Sequence, residues 1–168
     1  MRLFAIGCVV SAAVGCGTSE AGPGSGLTPP ASWKALPQLA TAATQAAKED
    51  GVTIDISEAW ADQARGCYAA WLAWRGAKGA PEKLADALVL AVSSEKSLEG
   101  IAVRDVVKPT PGGNVGVVSL GFERGEYRGT VRAQLTREGQ VAALACFWNQ
   151  REPAACAADC GKLVGSMK

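Results

Sequence analysis

The sequence predicts an α+β fold, in which an antiparallel meander sheet of about four to five strands has helices packed on one face and carries two disulfides. Period-2 alternation over Tyr127–Asn149 predicts the sheet. Three prolines at helix-start positions, Pro37, Pro81 and Pro153, predict the helices. The disulfides are predicted from four cysteines in the same part of the chain: Cys67, Cys146, Cys156 and Cys160.

The stretch Tyr127–Asn149 predicts the central strand pair. Its odd positions up to 135 are apolar or small and its even positions are polar, as in a strand that buries one face. Gly139 follows Glu138 at the second turn position, where a positive φ is needed, which predicts a two-residue hairpin turn. In that register one core face runs through both strands, and its facing pairs are Gly129 with Trp148, Val131 with Cys146, and Ala133 with Leu144.

The domain is expected to begin at Trp33 and to contain one clear helix near its start. Pro37 suits the first turn of that helix and Gly51 suits its C-terminal stop, with small and apolar residues along one side. The short β-branched segment Val52–Ile56 predicts a minor strand.

The segment Ser57–Trp74 allows two interpretations. Its tryptophans and small residues recur at spacings of four and three, which fits a helix face, but Gly66 interrupts the pattern. Cys67–Trp74 also fits a buried strand that leaves by a turn. We favour a strand for Cys67–Trp74, with Ser57–Ala64 as a separate helical turn or two.

The second half of the domain predicts a helix followed by a meander. Pro81 opens a helix with an apolar stripe that ends near Ser93. Strands are then expected at Ile101–Lys108 and Val115–Phe122, ahead of the Tyr127–Asn149 pair.

Pro153 opens a final helix that runs to about residue 167 and carries Cys156 and Cys160 one turn apart. Residues so placed are neighbours with nearly parallel side chains and are not disulfide partners, so each is expected to cross to the sheet. The favoured pairs are Cys146 with Cys156 and Cys67 with Cys160; the swapped pairing is the close alternative. A zinc site of four thiolates is the less favoured alternative, because the sequence has no Cys-x-x-Cys pair.

The order of elements, helix, strand, helix, four strands and helix, is similar in outline to PsbP-like domains. This likeness is one of architecture, without a shared motif. It implies a domain that binds partners and is not catalytic.

Residues 1–15 have the features of a signal peptide: Arg2, then an apolar run too short to span a bilayer. Ala13-Val14-Gly15-Cys16 resembles the lipobox of bacterial lipoproteins, with Ala13 in place of the family's usual Leu. The resemblance implies cleavage before Cys16 and acylation of its thiol. In such lipoproteins an Asp after the cysteine favours retention in the inner membrane. Here that residue is Gly17, so the resemblance implies the outer membrane, with the domain facing the periplasm.

Residues 16–32 are expected to form the lipidated cysteine and a flexible tether, because this stretch is rich in Gly, Pro and Ser. Residues 33–168 then form a single domain. Removal of Cys8 with the signal peptide and lipidation of Cys16 leave four cysteines in the domain, an even number that suits two disulfides in an oxidising compartment.

Several kinds of chemistry are excluded or unsupported by composition. The chain has no histidine, which excludes imidazole acid-base catalysis and His-containing triads. Its net charge of +1 lacks the signature of a nucleic-acid binder. No enzyme motif is found, and no cofactor or metal is expected. Two carboxylate pairs could be imagined as glycosidase residues, but solvated surface charge is the favoured interpretation: Glu58 with Asp62, and Glu123 with Glu126.

Two sets of residues are candidate interaction surfaces. A basic stripe on the outer face of the sheet could meet an anionic partner, although such side chains also serve to cover an open face. A tryptophan-rich cluster could bind a sugar, although core packing is the favoured interpretation. The stripe consists of Arg104, Lys108, Arg128 and Arg132, with Phe147 near Thr130, and the cluster of Trp60, Tyr68, Trp71 and Trp74.

These observations favour a noncatalytic envelope lipoprotein, held on the membrane by its lipid anchor and acting as an accessory or scaffold subunit of an outer-membrane or periplasmic assembly, such as a secretion, motility or transport machine. Its expected partner is an envelope protein. The alternative is a module that binds peptidoglycan or another glycan.

Overall fold

The structure is a computed structural model that describes residues 24–94, 101–151 and 153–167. The signal peptide, Cys16 and most of the tether lie outside the described residues. The helices and strands are β1 Lys34–Ala35, α1 Pro37–Glu49, β2 Ile54–Asp62, β3 Cys67–Arg75, α2 Pro81–Ser94, β4 Ala102–Val107, β5 Val115–Arg124, β6 Tyr127–Thr136, β7 Gln140–Asn149 and α3 Pro153–Ser166.

All paired strands are antiparallel and form one sheet in the order β1-β2-β3-β7-β6-β5-β4. The α+β class is therefore confirmed, but the sheet has seven strands where four to five were predicted. The strand favoured at Cys67–Trp74 is confirmed and runs over Cys67–Arg75, whereas the helical turn predicted at Ser57–Ala64 is wrong, because β2 occupies most of that segment. Both faces of β2 contribute to the core, so its sequence lacks the polar alternation that marks a half-exposed strand.

The β6–β7 hairpin differs from the predicted register by one residue. Thr130, not Val131, faces Cys146, and Leu135 faces Val141. The connection has three residues because the Gly139 N–H donates to the Thr136 carbonyl oxygen at 3.0 Å, with Gly139 at a φ of 83°. A shift of one residue moves every side chain of a strand to the other face.

Helices lie on both faces of the sheet, and the prediction of helices on one face is wrong. On one face, here called the α3 face, Leu163 of α3 packs with Trp71 and Leu144. On the other, the α1/α2 face, Ala43 of α1 and Ala85 of α2 pack with a separate apolar cluster that includes Leu72, Val118, Ala133 and Leu135.

Two disulfides join α3 to neighbouring strands. They are Cys67–Cys156, with Cα atoms 5.5 Å apart, and Cys146–Cys160, with Cα atoms 5.7 Å apart. Each helix cysteine crosses to the sheet as predicted, but the favoured pairing is wrong and the swapped alternative is found.

The pairing follows from the direction of α3, which turns back along β7. Cys67 faces Trp148 near the end of β7, so it lies at the level where α3 begins and meets Cys156. Four helical residues later, about 6 Å along the axis, Cys160 reaches Cys146, which stands two strand residues, about 7 Å, before Trp148.

Arg65 joins the β2–β3 turn to α3. Its Nε donates to Asp62 Oδ2 at 2.7 Å, and its Nη2 donates to Asp159 Oδ2 at 3.1 Å and to Ser32 Oγ at 2.7 Å. The hydrogen bond from Arg65 is the main reason that the pKa of Asp62 lies below its ordinary value of 3.8.

Acid is expected to weaken this junction. Because the folded-state pKa of Asp62 is depressed, its contribution to stability is present above pH 3.8 and is lost as the pH falls further, through the folded-state pKa. Thermal unfolding of the parent and of Asp62→Asn across this range measures the contribution. The Tm difference between the two should shrink below pH 3.8; a difference that stays constant with pH would contradict the assignment.

Residues 24–27, at the end of the predicted tether, contact the domain. The Ser25 N–H and Oγ donate to the two carboxylate oxygens of Glu58 at 2.9 and 2.6 Å, and Leu27 packs against the cluster on the α3 face. The chain therefore leaves the domain beside β2.

Candidate functional site

The predicted basic stripe does not form one surface. Arg128 and Arg132 lie on the α3 face, but Lys108 reaches Asp86 of α2, with Nζ and Oδ1 2.7 Å apart. Phe147 faces Gly129, not Thr130, so it lies on the α1/α2 face, opposite Arg128. The one-residue register difference is the reason that the predicted combination of Phe147 with the stripe is wrong.

Most of the stripe is also paired with carboxylates. Glu123 bridges two of the arginines: Arg104 Nη2 lies 2.9 Å from its Oε2, and Arg128 Nη2 contacts its Oε1. Only Arg132 of the four cations has no ion pair within the described residues. Three of the four cations are therefore paired with nearby carboxylates, and the stripe does not present a continuous basic surface.

An aromatic row lies instead on the α1/α2 face. It consists of Tyr68, Phe147, Tyr127 and Phe122, contributed by four adjacent strands. The rings of Tyr68 and Phe147 stack with centroids 5.3 Å apart and planes 17° apart, and Tyr127 meets Phe147 edge-on at 6.2 Å. Phe147 faces Gly129, and Gly129 faces Phe122, so the row crosses the sheet in register.

The helices of this face cover other positions. Ala40 of α1 packs on Ala59 and Ala70 of the sheet, whereas Ala43 of α1 and Ala85 of α2 belong to the cluster with Val118 and Leu135. None of the four rings belongs to a packed core cluster of the described chain, and each is partly exposed. The aromatic row is thus an open end of an otherwise helix-covered face.

Tyr68 is uncharged at neutral pH. Burial raises the pKa of Tyr68 above its ordinary value of 10.0, and the neighbouring Tyr127 raises it further. The row therefore presents aromatic rings together with two hydroxyl groups. This combination suits contact with a mainly apolar surface that also offers hydrogen-bonding groups.

The predicted tryptophan cluster is largely core. Trp60, Trp71 and Trp74 are 9%, 7% and 7% exposed, which confirms the core interpretation for these three side chains. Only Tyr68 of that group reaches the aromatic row. These three tryptophans are therefore not exposed as a surface on which a sugar ring could stack.

The carboxylates of both candidate acid-base pairs are engaged in other contacts. Glu58 accepts from Ser25, Asp62 from Arg65, and Glu123 from two arginines. Glu126 accepts from Asn149 Nδ2 at 3.2 Å and lies 3.6 Å from Arg151. These contacts fit structural carboxylates on the surface.

Sequence reasoning missed the aromatic row because its members come from four strands. The sequence pattern groups Phe147 with the basic stripe and Tyr68 with the tryptophans. A signal was present: with the correct register, Gly129 is the small residue between two phenylalanines, a position where a glycine accommodates a ring lying across the strand.

Within residues 24–94, 101–151 and 153–167, no group of three or more Cys, Asp or Glu is placed to hold a metal ion. None of the described helices is long and apolar enough to cross a membrane. A scan of protein-family models finds no match to this chain, and a search of curated proteins finds none either.

Proposed function

We propose that this protein is a noncatalytic, lipid-anchored accessory or scaffold subunit of an outer-membrane or periplasmic assembly and that it binds a protein partner through the aromatic row. The observation that supports this most strongly is the open, stacked set of Tyr68, Phe147, Tyr127 and Phe122 beside two helix-covered regions.

The chemistry of the aromatic row suits a protein partner. Tyrosine and phenylalanine are enriched in the cores of protein interfaces, where they bury a large area and lose few rotamers. Stacking with Tyr68 and edge contact with Tyr127 already restrict Phe147 before binding. This order lowers the entropic cost of association.

The scaffold beneath the row supports an accessory role. The row stands on the central, continuously paired strands β3, β7, β6 and β5, and two buried disulfides fix α3 to the opposite face of β3 and β7. A binding surface on a rigid sheet keeps its geometry when the partner is absent.

Acylation is expected to place this surface at the membrane. The lipobox-like residues and the even number of domain cysteines support a mature chain that begins at lipidated Cys16. Intact-mass analysis of membrane fractions should find the acylated N-terminus, and Cys16→Ser should move the protein to the soluble fraction. An unmodified soluble form, with Cys16→Ser localised as the parent, would contradict the anchor.

Truncation of Phe147 is expected to weaken partner binding at least tenfold, as is usual for the central aromatic residue of an interface. The measurement uses the full-length protein in intact cells, with a photo-crosslinking residue at position 127. The parent should give one reproducible crosslinked protein, and Phe147→Ala should lose most of it.

Leu90→Ala is the matched control, because Leu90 is an apolar side chain of α2 that is 67% exposed and does not belong to the aromatic row. It should leave the crosslink unchanged, and both variants should retain the parent Tm within a few degrees. Crosslinks that are absent in the parent, or equal in parent and Phe147→Ala, would refute the proposed surface.

A further inference from the structure

A second candidate site lies on the α3 face. An open groove of about 460 Å³ runs between Trp148 and the edge strand β4. This volume lies in the range of ligand sites in proteins, about 300 to 1,000 Å³. The groove opens on the α3 face, whereas the aromatic row lies on the α1/α2 face; Phe122 of the row is the one residue that also lines the groove.

The floor of the groove is bare at Gly121, which faces Thr130 on the next strand. The Thr130 hydroxyl donates to the Leu120 carbonyl oxygen at 3.2 Å, which fixes its orientation and leaves its oxygen as an acceptor. Asp105 overhangs this floor, since its Oδ2 lies 3.5 Å from the position that a Cβ at Gly121 would take.

The backbone of Asp105 is unusual. It has a φ of 51°, the one positive value at a non-glycine position in the described chain, and it stands in the irregular stretch of β4 between Arg104 and Val107. The irregularity turns the Asp105 carboxylate over the groove, where it forms no ion pair or hydrogen bond within the described residues. Strained backbone of this kind is concentrated at functional sites.

The charges of the groove are balanced. Arg104 and Arg128 both bind Glu123, and Asp105 supplies a second carboxylate, so the lining has two cations and two anions. A ligand anion would meet two carboxylates and a ligand cation two guanidinium groups. The complementary ligand is uncharged and has groups that both donate and accept hydrogen bonds.

We propose that this groove binds a neutral saccharide unit. Sugar hydroxyls donate to the Asp105 carboxylate and accept from the arginine N–H groups, and the bare floor at Gly121 admits the ring. The site is thus assigned to a glycan, while the aromatic row on the opposite face is assigned to a protein.

The test is a titration of the full-length, isotope-labelled protein in detergent micelles with a neutral tetramer of N-acetylglucosamine, followed by NMR. The amide signals of Gly121 and Thr130 should shift and saturate, with a Kd on the order of 1 mM. A neutral tetrapeptide is titrated in parallel, because amides also donate and accept hydrogen bonds.

Gly121→Val should weaken saccharide binding at least about tenfold by filling the floor. Its Cβ meets only ordinary contacts, and a Tm equal to that of the parent checks that the fold accepts the two further methyl groups. Asp105→Asn removes the carboxylate but tolerates a positive φ, so it should weaken binding about threefold to tenfold with no change in Tm. Asp55→Asn, at an exposed position of β2, is the control and should bind as the parent does.

Saturable shifts at the groove that depend on Gly121 and Asp105 support the proposal. It is overturned if the tetrasaccharide gives no saturable shifts at Gly121 and Thr130, or if Gly121→Val binds it as tightly as the parent. It is equally overturned if the tetrapeptide, and not the saccharide, binds with this dependence.

Discussion

Replacement of Cys67 and Cys156 by alanine is expected to destabilise the protein more than replacement of Cys146 and Cys160. The first disulfide joins residues 89 apart in sequence and the second joins residues 14 apart. In the chain-entropy description these loops correspond to about 4.6 and about 3 kcal/mol of the free energy of unfolding.

The position of the bonds adds to the loop effect. All four cysteines are essentially buried, so each alanine pair also leaves unfilled space between α3 and the sheet. Typical domains have a free energy of unfolding of about 5 to 15 kcal/mol, so loss of the longer loop could leave a largely unfolded chain.

Denaturant unfolding of the two double variants measures this order, with the midpoint and its slope recorded for each. Peptide mapping of the unreduced parent is the accompanying check and should recover Cys67 linked to Cys156. A Cys146/Cys160 variant that is the less stable of the two, or recovery of a Cys67–Cys146 linkage, would contradict the arrangement of α3 over the sheet.

The helices could be predicted because their ends carry local signals. Pro37, Pro81 and Pro153 each begin a helix at the predicted residue, and Gly51 follows α1 with a φ of 78°. Such signals act within one turn of the chain and need no knowledge of the rest of the fold. The β2 strand lacks them, and its burial on both faces removes the alternation that marked β6.

The faces of the sheet could not be predicted, because they depend on one residue of the β6–β7 turn. A three-residue connection through Gly139 and a two-residue connection have nearly the same local sequence requirements. Both registers bury apolar side chains once helices cover both faces. The position of Phe147, and with it the aromatic row, therefore follows from the tertiary arrangement of α1, α2 and α3.

Gly129 lies between Phe122 and Phe147 of the aromatic row, and a single added methyl group is expected to have a large effect there. A Cβ at this position would lie 2.5 Å from Cζ of Phe122 and 2.6 Å from the carbonyl oxygen of Cys146. The ring can rotate away, but the carbonyl belongs to the β7 backbone and can move only if the β6–β7 pairing is distorted.

Gly129→Ala should therefore lower the free energy of unfolding by about 2 to 3 kcal/mol, in the range for overpacked interiors. It should also reduce the photo-crosslink at position 127, because Phe122 must leave the aromatic row. Gly161→Ala is the matched control in α3, where a Cβ meets nothing within 4 Å. There alanine should stabilise by about 0.5 to 1 kcal/mol, as expected for a helix interior.

Thermal and denaturant unfolding of the two glycine variants, together with the crosslink, distinguish the effect of the close contact at Gly129 from the general effect of replacing glycine by alanine. If the change were simply that of glycine to alanine, both variants would gain stability. A Gly129→Ala protein as stable as the parent, with its crosslink retained, would show that Phe122 does not lie across Gly129, and the aromatic row would lose its outer member. Loss of stability at Gly129 alone, with gain at Gly161, is the result that the close contact between β5, β6 and β7 requires.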